Sequence, residues 1–358
     1  MISEILLKFG ASENSDPLRL KCNRSITVFL GPNNSGKSQI LREISSLCSG
    51  GNPEANVILN KIIFDSVKHG DAKEFINNVK ATPSLGQHHV PEHILCRAKN
   101  SDFWVSEKKY YSVTGKINES DSNDFSNFAQ WYAKHNYLML DGASRINLIA
   151  PQDRGNLTRP TSAFTKILLE SAKRQRISKF LLESTNLHFA LDITDGGLIQ
   201  IRFGKSPPVD ERNLNDETVT YMANAKPIAD MSDGIKALTG ILIQINAGFE
   251  KTILIDEPEA FLHPSLAFKL GKEISTTAIQ ENKAIFVSTH SPQFLMGAIA
   301  SGVNINIVRM TYDGNVGSAR LLENSQLREL MNDPLLRSTG VLEGLFLSDI
   351  SALETKQC

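Results

Sequence analysis

Short apolar runs and longer segments with helical apolar spacing alternate along much of this chain. Runs rich in β-branched residues predict strands at 25–30, 252–255, 284–287 and 304–309. Apolar positions that recur every three or four residues predict helices at about 38–48, 232–248 and 264–277, and after Pro292. Because these strands are apolar at consecutive positions and alternate with helices, the pattern favours a parallel sheet inside an α/β fold.

The pattern is less regular between these regions. Residues 5–7 predict a further strand, separated from the strand at 25–30 by a turn-rich break. Residues 56–67 fit either a strand or a helix. We also expect strands at 103–105, 110–113 and 145–150, a helix at 164–182, and a hairpin of 188–191 with 198–201.

These elements divide the chain into four predicted segments. The expected fold class is α/β, with a mostly parallel sheet, an N-terminal antiparallel β piece and a compact insertion of helices and strands. The segments are a first lobe at 1–50, the insertion at 51–225, a second lobe at 226–320 and a C-terminal helical tail at 321–358. A length of 358 residues agrees with about two domains, or with one domain that carries an insertion.

Composition narrows the class of protein without pointing to one activity. Hydrophobic residues make up 41% of the chain and charged residues 22%, which is ordinary for a globular protein and excludes disorder, collagen and a disulfide scaffold. Lys and Arg number 38 against 39 Asp and Glu, so that the net charge is −1. This balance excludes a globally basic nucleic-acid coat protein, although a local basic patch remains open.

The cysteines and the apolar runs bear on the cellular location. The four cysteines form no CxxC pair, which argues against a zinc ribbon and a thioredoxin-like site, and they fit reduced thiols in a cytosol. They are Cys22, Cys48, Cys96 and Cys358. The N-terminus lacks the pattern of a signal peptide, and nowhere do 18 consecutive apolar residues occur. A cytoplasmic protein without a membrane span is therefore expected.

Two clusters of polar residues have ordinary explanations. Three histidines lie near one another without a second group of metal ligands, which favours a surface loop over a metal site; they are His88, His89 and His93. Four basic residues share one side of the helix predicted at 164–182, namely Lys173, Arg174, Arg176 and Lys179. A solvated helix face is the default interpretation, and contact with nucleic-acid phosphates is the alternative.

The strongest chemical signal follows the strand at 25–30. The segment Gly31-Pro32-Asn33-Asn34-Ser35-Gly36-Lys37-Ser38 matches G-x-x-x-x-G-K-S between a strand and a helix. Glycines let backbone N–H groups turn toward a polyphosphate, and the helix N-terminus adds positive potential. Lys37 can then reach the β- and γ-phosphates, and the Ser38 hydroxyl can ligate Mg²⁺. The segment therefore predicts a nucleotide site.

Three further motifs fit the same chemistry. The strand at 252–255 ends in two carboxylates, of which Asp256 would hold Mg²⁺ and Glu257 would polarise the attacking water. Ser232-Asp233-Gly234 opens an apolar helix. It is either an N-cap or a second phosphate-binding helix N-terminus, which would serve a neighbour's ATP and predicts an ATP-sandwiched dimer. His290 follows the strand at 284–287, where it could contact the γ-phosphate.

The order of these motifs resembles that of ABC-type ATPases. The phosphate loop, Ser-Asp-Gly, Ile-Asp-Glu-Pro-Glu-Ala-Phe-Leu-His-Pro and Thr-His-Ser-Pro follow one another along the chain. The residues in these motifs are similar to those of the SMC, RecF and OLD branch. They are most similar to the ATPase part of OLD-like proteins, which include the Gabija and PARIS-type anti-phage ATPases. The resemblance covers residues 1–48 and 225–310 and is loose between them. It implies an ABC-type P-loop ATPase head that uses ATP and Mg²⁺.

The resemblance also implies a role for each matched position. The Walker A loop comprises Gly31, Asn33, Asn34, Ser35, Gly36, Lys37 and Ser38 around the nucleotide. Ser232, Asp233 and Gly234 form the signature that engages the opposite protomer's ATP. Asp256 and Glu257 form Walker B with Glu257 as the catalytic base, residues 259–263 form the D-loop region at the dimer interface, and His290 is the switch histidine. Gln152 is expected as the Q-loop glutamine that contacts the nucleotide and Mg²⁺.

Two departures from the family pattern decide the expected function. The interval between Ser38 and Ser232 contains no sustained heptads, which excludes the long coiled coil of an SMC protein. The tail after Leu345-Phe346-Leu347 is too short for the TOPRIM nuclease domain of OLD-like proteins. We therefore expect a slow, regulated ATPase that forms a dimer or higher oligomer around ATP and controls a separate nuclease or toxin in phage defence. A RecF-like DNA-repair ATPase that binds DNA directly, an ATP-gated interaction module and a transporter ATPase are the alternatives.

Overall fold

A computed structural model describes residues 1–22, 26–83, 90–98, 101–117, 122–208 and 210–322. The strands of these residues are, in chain order, β1 (Ile2–Leu7), β2 (Arg19–Lys21), β3 (Ile26–Leu30), β4 (Leu59–Phe64), β5 (His93–Ala98), β6 (Ser101–Ser106), β7 (Tyr137–Leu140), β8 (Gln152–Asp153), β9 (His188–Asp192), β10 (Leu198–Gly204), β11 (Lys226–Pro227), β12 (Thr252–Asp256), β13 (Ala284–Ser288), β14 (Ile305–Tyr312) and β15 (Gly317–Leu322). The helices are α1 (Lys37–Cys48), α2 (His69–Val79), α3 (Glu107–Gly115), α4 (Ser122–Trp131), α5 (Gly142–Asn147), α6 (Ala163–Leu169), α7 (Ser171–Thr185), α8 (Asp216–Asn224), α9 (Asp233–Ala247), α10 (Pro264–Gln280) and α11 (Pro292–Ala300).

A six-stranded sheet lies at the centre of the described chain, in the order β15-β14-β3-β13-β12-β7. Its neighbours from β14 to β7 run parallel, and β15 alone pairs antiparallel with β14. In register, Val28 of β3 lies between Val287 of β13 and Ile307 of β14. The carboxyl ends of β3, β13 and β12 therefore meet at one edge of the sheet, which is where open parallel sheets hold ligands.

Both faces of the central sheet are buried because its strands are apolar at consecutive positions. In β3, Ile26 and Val28 belong to one core and Phe29 to the other. The first core also contains apolar residues of α6, α7, α9, α10, α11 and the β9–β10 hairpin. The second contains those of α1, β1, β4 and the helices α2 to α4. Successive side chains of a strand point to opposite faces of the sheet, so each strand contributes to both cores.

The N-terminal sheet has the order β2-β1-β4, with both pairs antiparallel, as expected for this part of the chain. It resolves the ambiguity at 56–67 in favour of a strand. The buried Glu43 of α1 fixes this strand, since its carboxylate accepts the backbone N–H groups of Val57, Ile58 and Leu59. A buried carboxylate needs such donors, and here they tie α1 to the N-terminal sheet.

The region predicted as an insertion contains two further small sheets. One is the antiparallel hairpin β5–β6, and the other has the order β11-β10-β8 with β9 paired to β10, which confirms the predicted hairpin of 188–191 with 198–201. Strand β7 lies inside the same region but pairs with β12 at the edge of the central sheet. The region therefore supplies one strand to the central sheet, and the segment boundaries at 50, 225 and 320 stay predictions.

The predicted strand at 110–113 is wrong, because these residues lie in helix α3. Tyrosine and valine favour strands by propensity, but Tyr110, Val113 and Thr114 are buried at the spacing of one helix face. The Tyr110 hydroxyl also donates to the carbonyl of Ala72 in α2. Helix-to-helix packing thus overrides the local preference for a strand.

The predicted strand at 145–150 is also wrong, since α5 occupies 142–147. Asp141 accepts the backbone N–H of Ser144 at 2.9 Å, and the Ser144 hydroxyl receives the N–H of Asp141 at 2.7 Å. This reciprocal capping starts a helix directly after β7.

The helix predicted at 164–182 is two helices, α6 and α7, because Glu170 between them has a non-helical ψ of 88°.

Several predictions fall outside the described residues. They concern His88, His89, Cys358 and the tail at 321–358, of which residues 321 and 322 end β15.

The other three cysteines are free and buried, and burial raises the pKa of the Cys22 and Cys48 thiols to about 12 and that of Cys96 to about 11. Within the described ranges, every helix is too short or too polar to cross a bilayer.

Glu211 is a buried acid in the turn before α8. Burial raises the pKa of its carboxyl to about 7, and Arg174 of α7, whose Nε lies 3.7 Å from Oε2, opposes this rise only in part. The folded chain therefore binds a proton at Glu211 more tightly than the unfolded chain does. The resulting stabilisation is complete below the unfolded pKa and is lost as the pH rises through about 7.

We predict that the wild type loses up to about 3 kcal/mol of unfolding free energy between pH 4.5 and 7.5 through this one group. The Glu211→Gln variant should lack this loss, so that its stability relative to the wild type rises with pH. Urea denaturation at several pH values measures the difference. Glu217→Gln, on the exposed first turn of α8, should follow the wild-type curve. Parallel curves for the wild type and Glu211→Gln would contradict the raised pKa.

Candidate functional site

The loop between β3 and α1 has a backbone that requires glycine at two positions. Gly31 has φ +149°, and a Cβ there would lie 2.0 Å from the carbonyl oxygen of Met310. Gly36 has φ +90°, and a Cβ there would lie 2.6 Å from Cδ1 of Ile58. Asn34 at the exposed tip also takes a left-handed φ of +66°. The two glycines of the motif thus let the loop curve back over the start of α1.

Lys37 lies inside this loop. Its buried ammonium donates to the carbonyls of Gly31 at 2.9 Å and Pro32 at 2.7 Å. Burial lowers the pKa of Lys37, while the charges of Glu257, Asp256 and Glu259 act in the opposite direction. Among the described residues, the buried Ser35 hydroxyl has no hydrogen-bond partner. The Lys37 ammonium and the unpartnered Ser35 hydroxyl therefore lie close together in the loop, where an anionic ligand could accept hydrogen bonds from both.

Asp256 connects the phosphate loop to two strand ends. Its Oδ1 accepts the Ser38 hydroxyl of α1 at 2.8 Å, and it also accepts the Ser288 hydroxyl at the end of β13. A hydroxyl and a carboxylate in contact are the protein ligands that Mg²⁺ uses beside nucleotide phosphates. Among the described residues, no group of three or more His, Cys, Asp or Glu could hold a metal. The donor set thus fits a Mg²⁺ that takes its other ligands from water and phosphate.

Glu257 and His290 lie together at the same sheet edge. Glu257 has a left-handed φ of +49°, and its N–H donates to the Ser288 carbonyl at 2.9 Å. Its Oε1 is 3.1 Å from Nδ1 of His290. The Glu257 side chain is 43% exposed and that of His290 is 53% exposed. Both groups are accessible to water, as a base and its partner must be.

Glu259 orders the turn that carries His290. Its buried carboxylate accepts the Thr289 hydroxyl at 2.6 Å and the His290 N–H at 3.2 Å. Burial raises the pKa of this carboxyl. Its second oxygen has no hydrogen-bond partner among the described residues. This acid, which follows Asp256 and Glu257 along the chain, thus holds the backbone of His290.

The Ser-Asp-Gly signature lies at the N-terminus of α9. Ser232 occupies the N-cap position but makes no capping hydrogen bond with its side chain, and Ser232 and Asp233 are exposed. Gly234 is buried against the 259–263 loop, so closely that an added Cβ would lie 2.6 Å from the Phe261 carbonyl oxygen. Phe261 itself is 68% exposed with φ +69°. This segment therefore packs on the 259–263 loop of its own chain, with the Ser232 side chain exposed and the Asp233 carboxylate paired with Lys236 at 3.2 Å.

Gln152 lies in β8, outside the central sheet. Its amide donates to the Leu148 carbonyl at 3.4 Å, and its role at the nucleotide stays a prediction. Arg145 of α5, the helix that follows the edge strand β7, does contact the site, and sequence reasoning missed it. Its Nη1 donates to the carbonyl of Glu257. The local signal was the capping pattern of Asp141 and Ser144 after an apolar strand, which places Arg145 on a helix.

The basic cluster on α7 has mostly internal partners. Lys173 pairs with Glu281 at 2.7 Å, and the Arg174 guanidinium donates to the Leu168 carbonyl at 2.8 Å. Arg176 donates to the Asn246 side chain at 3.1 Å. Of the four basic residues, Lys179 is exposed and the other three are partly buried. The predicted solvated face is therefore only partly solvated, because three of its four basic residues also have internal partners.

Comparisons with known proteins agree with this geometry. A family profile described as "AAA domain, putative AbiEii toxin, Type IV TA system" matches residues 107–296, which include Ser232, Glu257 and His290 but not the phosphate loop. No curated protein matches the chain at a significant level. Among solved structures, the chain is similar to an SMC head bound to the C-winged helix domain of ScpA, with a TM-score of 0.54 and 15% identity over 91% of this chain and 99% of that one.

Two further solved structures are similar at lower TM-scores. The SMC head domain from Thermotoga maritima has a TM-score of 0.43 and 12% identity, over 90% of this chain and 99% of that one. cbiO1 from Clostridium perfringens, described as part of the ABC transporter complex cbiONQ, has a TM-score of 0.40 and 11% identity, over 96% of this chain and 98% of that one. The match to the first SMC head shows the fold alone, and it confirms the predicted α/β head with a mostly parallel sheet.

We predict that Lys37→Ala weakens the binding of MgATP by about 10-fold or more, because charge-assisted hydrogen bonds to the phosphates are lost. Titration of a fluorescent ATP analogue at constant protein concentration measures the dissociation constant. Lys272→Ala removes an exposed lysine of α10 and should bind like the wild type. Equal affinity for Lys37→Ala and Lys272→Ala would exclude the loop as the phosphate site.

Proposed function

The chain belongs to this family of AAA domains, whose profile matches more than half of it, and on this premise we propose that it binds and hydrolyses ATP. One observation carries the proposal, which is the meeting of Ser38, Asp256, Glu257 and His290 at the carboxyl edge of the central sheet. These residues come from three distant parts of the chain, namely the start of α1, the end of β12 and the turn after β13. An arrangement that serves folding alone has no need of an exposed acid and an exposed histidine beside a glycine-rich loop.

The phosphate loop would bind the polyphosphate through Lys37 and its backbone N–H groups. Lys37 would exchange the Gly31 and Pro32 carbonyls for phosphate oxygens, which accept stronger charge-assisted hydrogen bonds. The Ser38 hydroxyl and the Asp256 carboxylate would hold Mg²⁺. When bound, Mg²⁺ neutralises charge on the β- and γ-phosphates. Asn33 and Asn34, both exposed at the loop tip, would line the entrance.

Glu257 is the proposed general base. Its carboxylate would accept a proton from the water that attacks the γ-phosphate. His290 Nδ1 lies 3.1 Å from this carboxylate and limits its rotation. Glu259 in turn holds the His290 backbone. The base and the histidine are thus oriented before the substrate arrives.

We further propose that two chains sandwich ATP. The uncapped N-terminus of α9 offers free N–H groups and the Ser232 hydroxyl to an anion, and the chain's own phosphate loop makes no hydrogen bond to it among the described residues. The 259–263 loop beside it exposes Phe261, a residue type enriched at interfaces. A site completed only by a second chain would turn over slowly in the monomer.

The biological setting is proposed as phage defence in the cytoplasm, with a separate nuclease or toxin under the control of the ATP-bound dimer or a higher oligomer. The resemblance of the motif residues to those of OLD-like proteins and the toxin–antitoxin description of the family support this setting. A RecF-like ATPase that binds DNA is less favoured, because most of the α7 charges have internal partners.

We predict that two inactive variants restore each other when mixed. Lys37→Ala has a defective phosphate loop and Ser232→Arg a defective signature, so a mixed dimer contains one intact composite site. Random pairing then gives about a quarter of the wild-type rate of phosphate release. Each variant alone should be inactive. No recovery in the mixture, with both variants folded, would contradict the shared site.

We also predict that a partner protein associates with the ATP-bound state. Affinity purification from the native cell should recover it with Glu257→Gln, which retains ATP, and not with Lys37→Ala. Mass spectrometry should identify a nuclease or toxin in stoichiometric amount. Recovery of DNA-repair proteins and DNA alone would favour the RecF-like alternative. If Glu257→Gln keeps full biological function, hydrolysis is dispensable and the chain is an ATP-gated interaction module.

A further inference from the structure

Arg145 is a charged side chain in the protein interior. It is 2% exposed and is among the largest fully buried side chains of the described residues. Burial of a guanidinium is costly unless its donors and its charge are matched. Arg145 lies on α5, a short helix between the central sheet and α9, and nothing in the nucleotide chemistry described above uses it.

The guanidinium joins α5 to the proposed catalytic base. Its Nη1 donates to the backbone carbonyl of Glu257, and its Nε donates to the carbonyl of Asp141 at 3.0 Å. Asp141 is itself held by the capping hydrogen bonds with Ser144. Burial lowers the pKa of Arg145, while the charges of Glu259, Asp256 and Glu257 act in the opposite direction. The carboxylates of the site thus supply the matching charge.

The backbone of Glu257 needs such a support. Its φ of +49° is unfavourable for a residue with a side chain, and positions of this kind persist only where neighbours hold both sides. The N–H donates to the Ser288 carbonyl, and the carbonyl accepts from Arg145 and from the N–H of Ala260. Of these three partners, Ser288 and Ala260 contact Glu257 through backbone groups. Arg145 contacts it through a side chain and comes from an element outside the 256–263 loop.

Helix α9 determines where Arg145 lies. Gly240 of α9 is packed so closely on α5 that a Cβ there would lie 2.7 Å from the Arg145 carbonyl oxygen and 3.0 Å from Cβ of Leu148. A methyl group at this position would push α5 away from α9. The same helix begins with the signature at Ser232. The position of α5, and with it the guanidinium, therefore depends on α9.

We propose that Arg145 is a positioning residue for ATP hydrolysis, which holds Glu257 in its strained conformation and is itself placed by the contact of Gly240 with α5. This inference rests on the proposed ATPase function. It assigns Arg145 no contact with the nucleotide. Loss of the guanidinium should therefore reduce the chemical step and leave ATP binding unchanged.

The test compares Arg145→Gln, Arg145→Lys and Gly240→Ala with the wild type. For Arg145→Gln we expect kcat per ATP-binding site to fall by about 100-fold, the effect of misplacing a catalytic group by about 1 Å. Arg145→Lys should be intermediate, because lysine keeps the charge but lacks the fork of donors. Gly240→Ala should lower kcat without any change of charge. The dissociation constant for ATP should stay near that of the wild type in all three.

Matched controls separate this role from general destabilisation. Gly70→Ala changes a helical glycine with no atom within 4 Å of the added Cβ, and Arg320→Gln removes an exposed arginine of β15. Both should keep the wild-type kcat. If Arg145→Gln does not fold, Gly240→Ala decides. Wild-type kcat in a folded Arg145→Gln, or in a folded Gly240→Ala where Arg145→Gln does not fold, overturns the positioning role alone. A wild type that binds ATP but never hydrolyses it overturns the proposed function, and this inference with it.

Discussion

The hydrogen bonds that Asp256 accepts from Ser38 and Ser288 hold together the part of the molecule on which its chemistry depends. They join the first turn of α1 to the ends of β12 and β13. They form because parallel strands in register bring their carboxyl ends to one edge. The phosphate loop, the proposed base and the histidine are positioned relative to this one carboxylate, so a shift of any strand along its neighbour would separate them.

Charge at this edge is balanced over several elements. Three acids, Asp256, Glu257 and Glu259, lie near the cations of Lys37 and Arg145. Each cation also donates to carbonyl groups, so that its burial is compensated. In the proposed function the partly exposed Asp256 and Glu257 would hold a divalent cation and activate water, while the buried Glu259 orders the histidine turn. Burial thus distinguishes Glu259 from the two acids to which the proposed function assigns chemistry.

Helix α9 connects this edge to the rest of the fold. Its C-terminus is capped by the buried Lys283, which donates to the carbonyls of Gln244 and Gly248. Its middle packs on α5 through Gly240, and its N-terminus packs on the 259–263 loop through Gly234. Both glycines permit backbone contact that any side chain would prevent. The helix is fixed along its length, and its exposed signature is therefore presented in a defined direction.

The sequence by itself determined the elements that carry chemistry and the order in which they occur. A buried apolar strand followed by G-x-x-x-x-G-K-S, and another that ends in two acids, are local patterns whose backbone consequences are local. Only the tertiary structure decided that β7 is the edge of the central sheet, and that residues 110–113 are helical, because burial on neighbouring helices outweighs strand propensity there. It also decided which cation supports Glu257. Arg145 lies 112 residues away along the chain, and no local pattern records a contact made through the packing of the whole sheet.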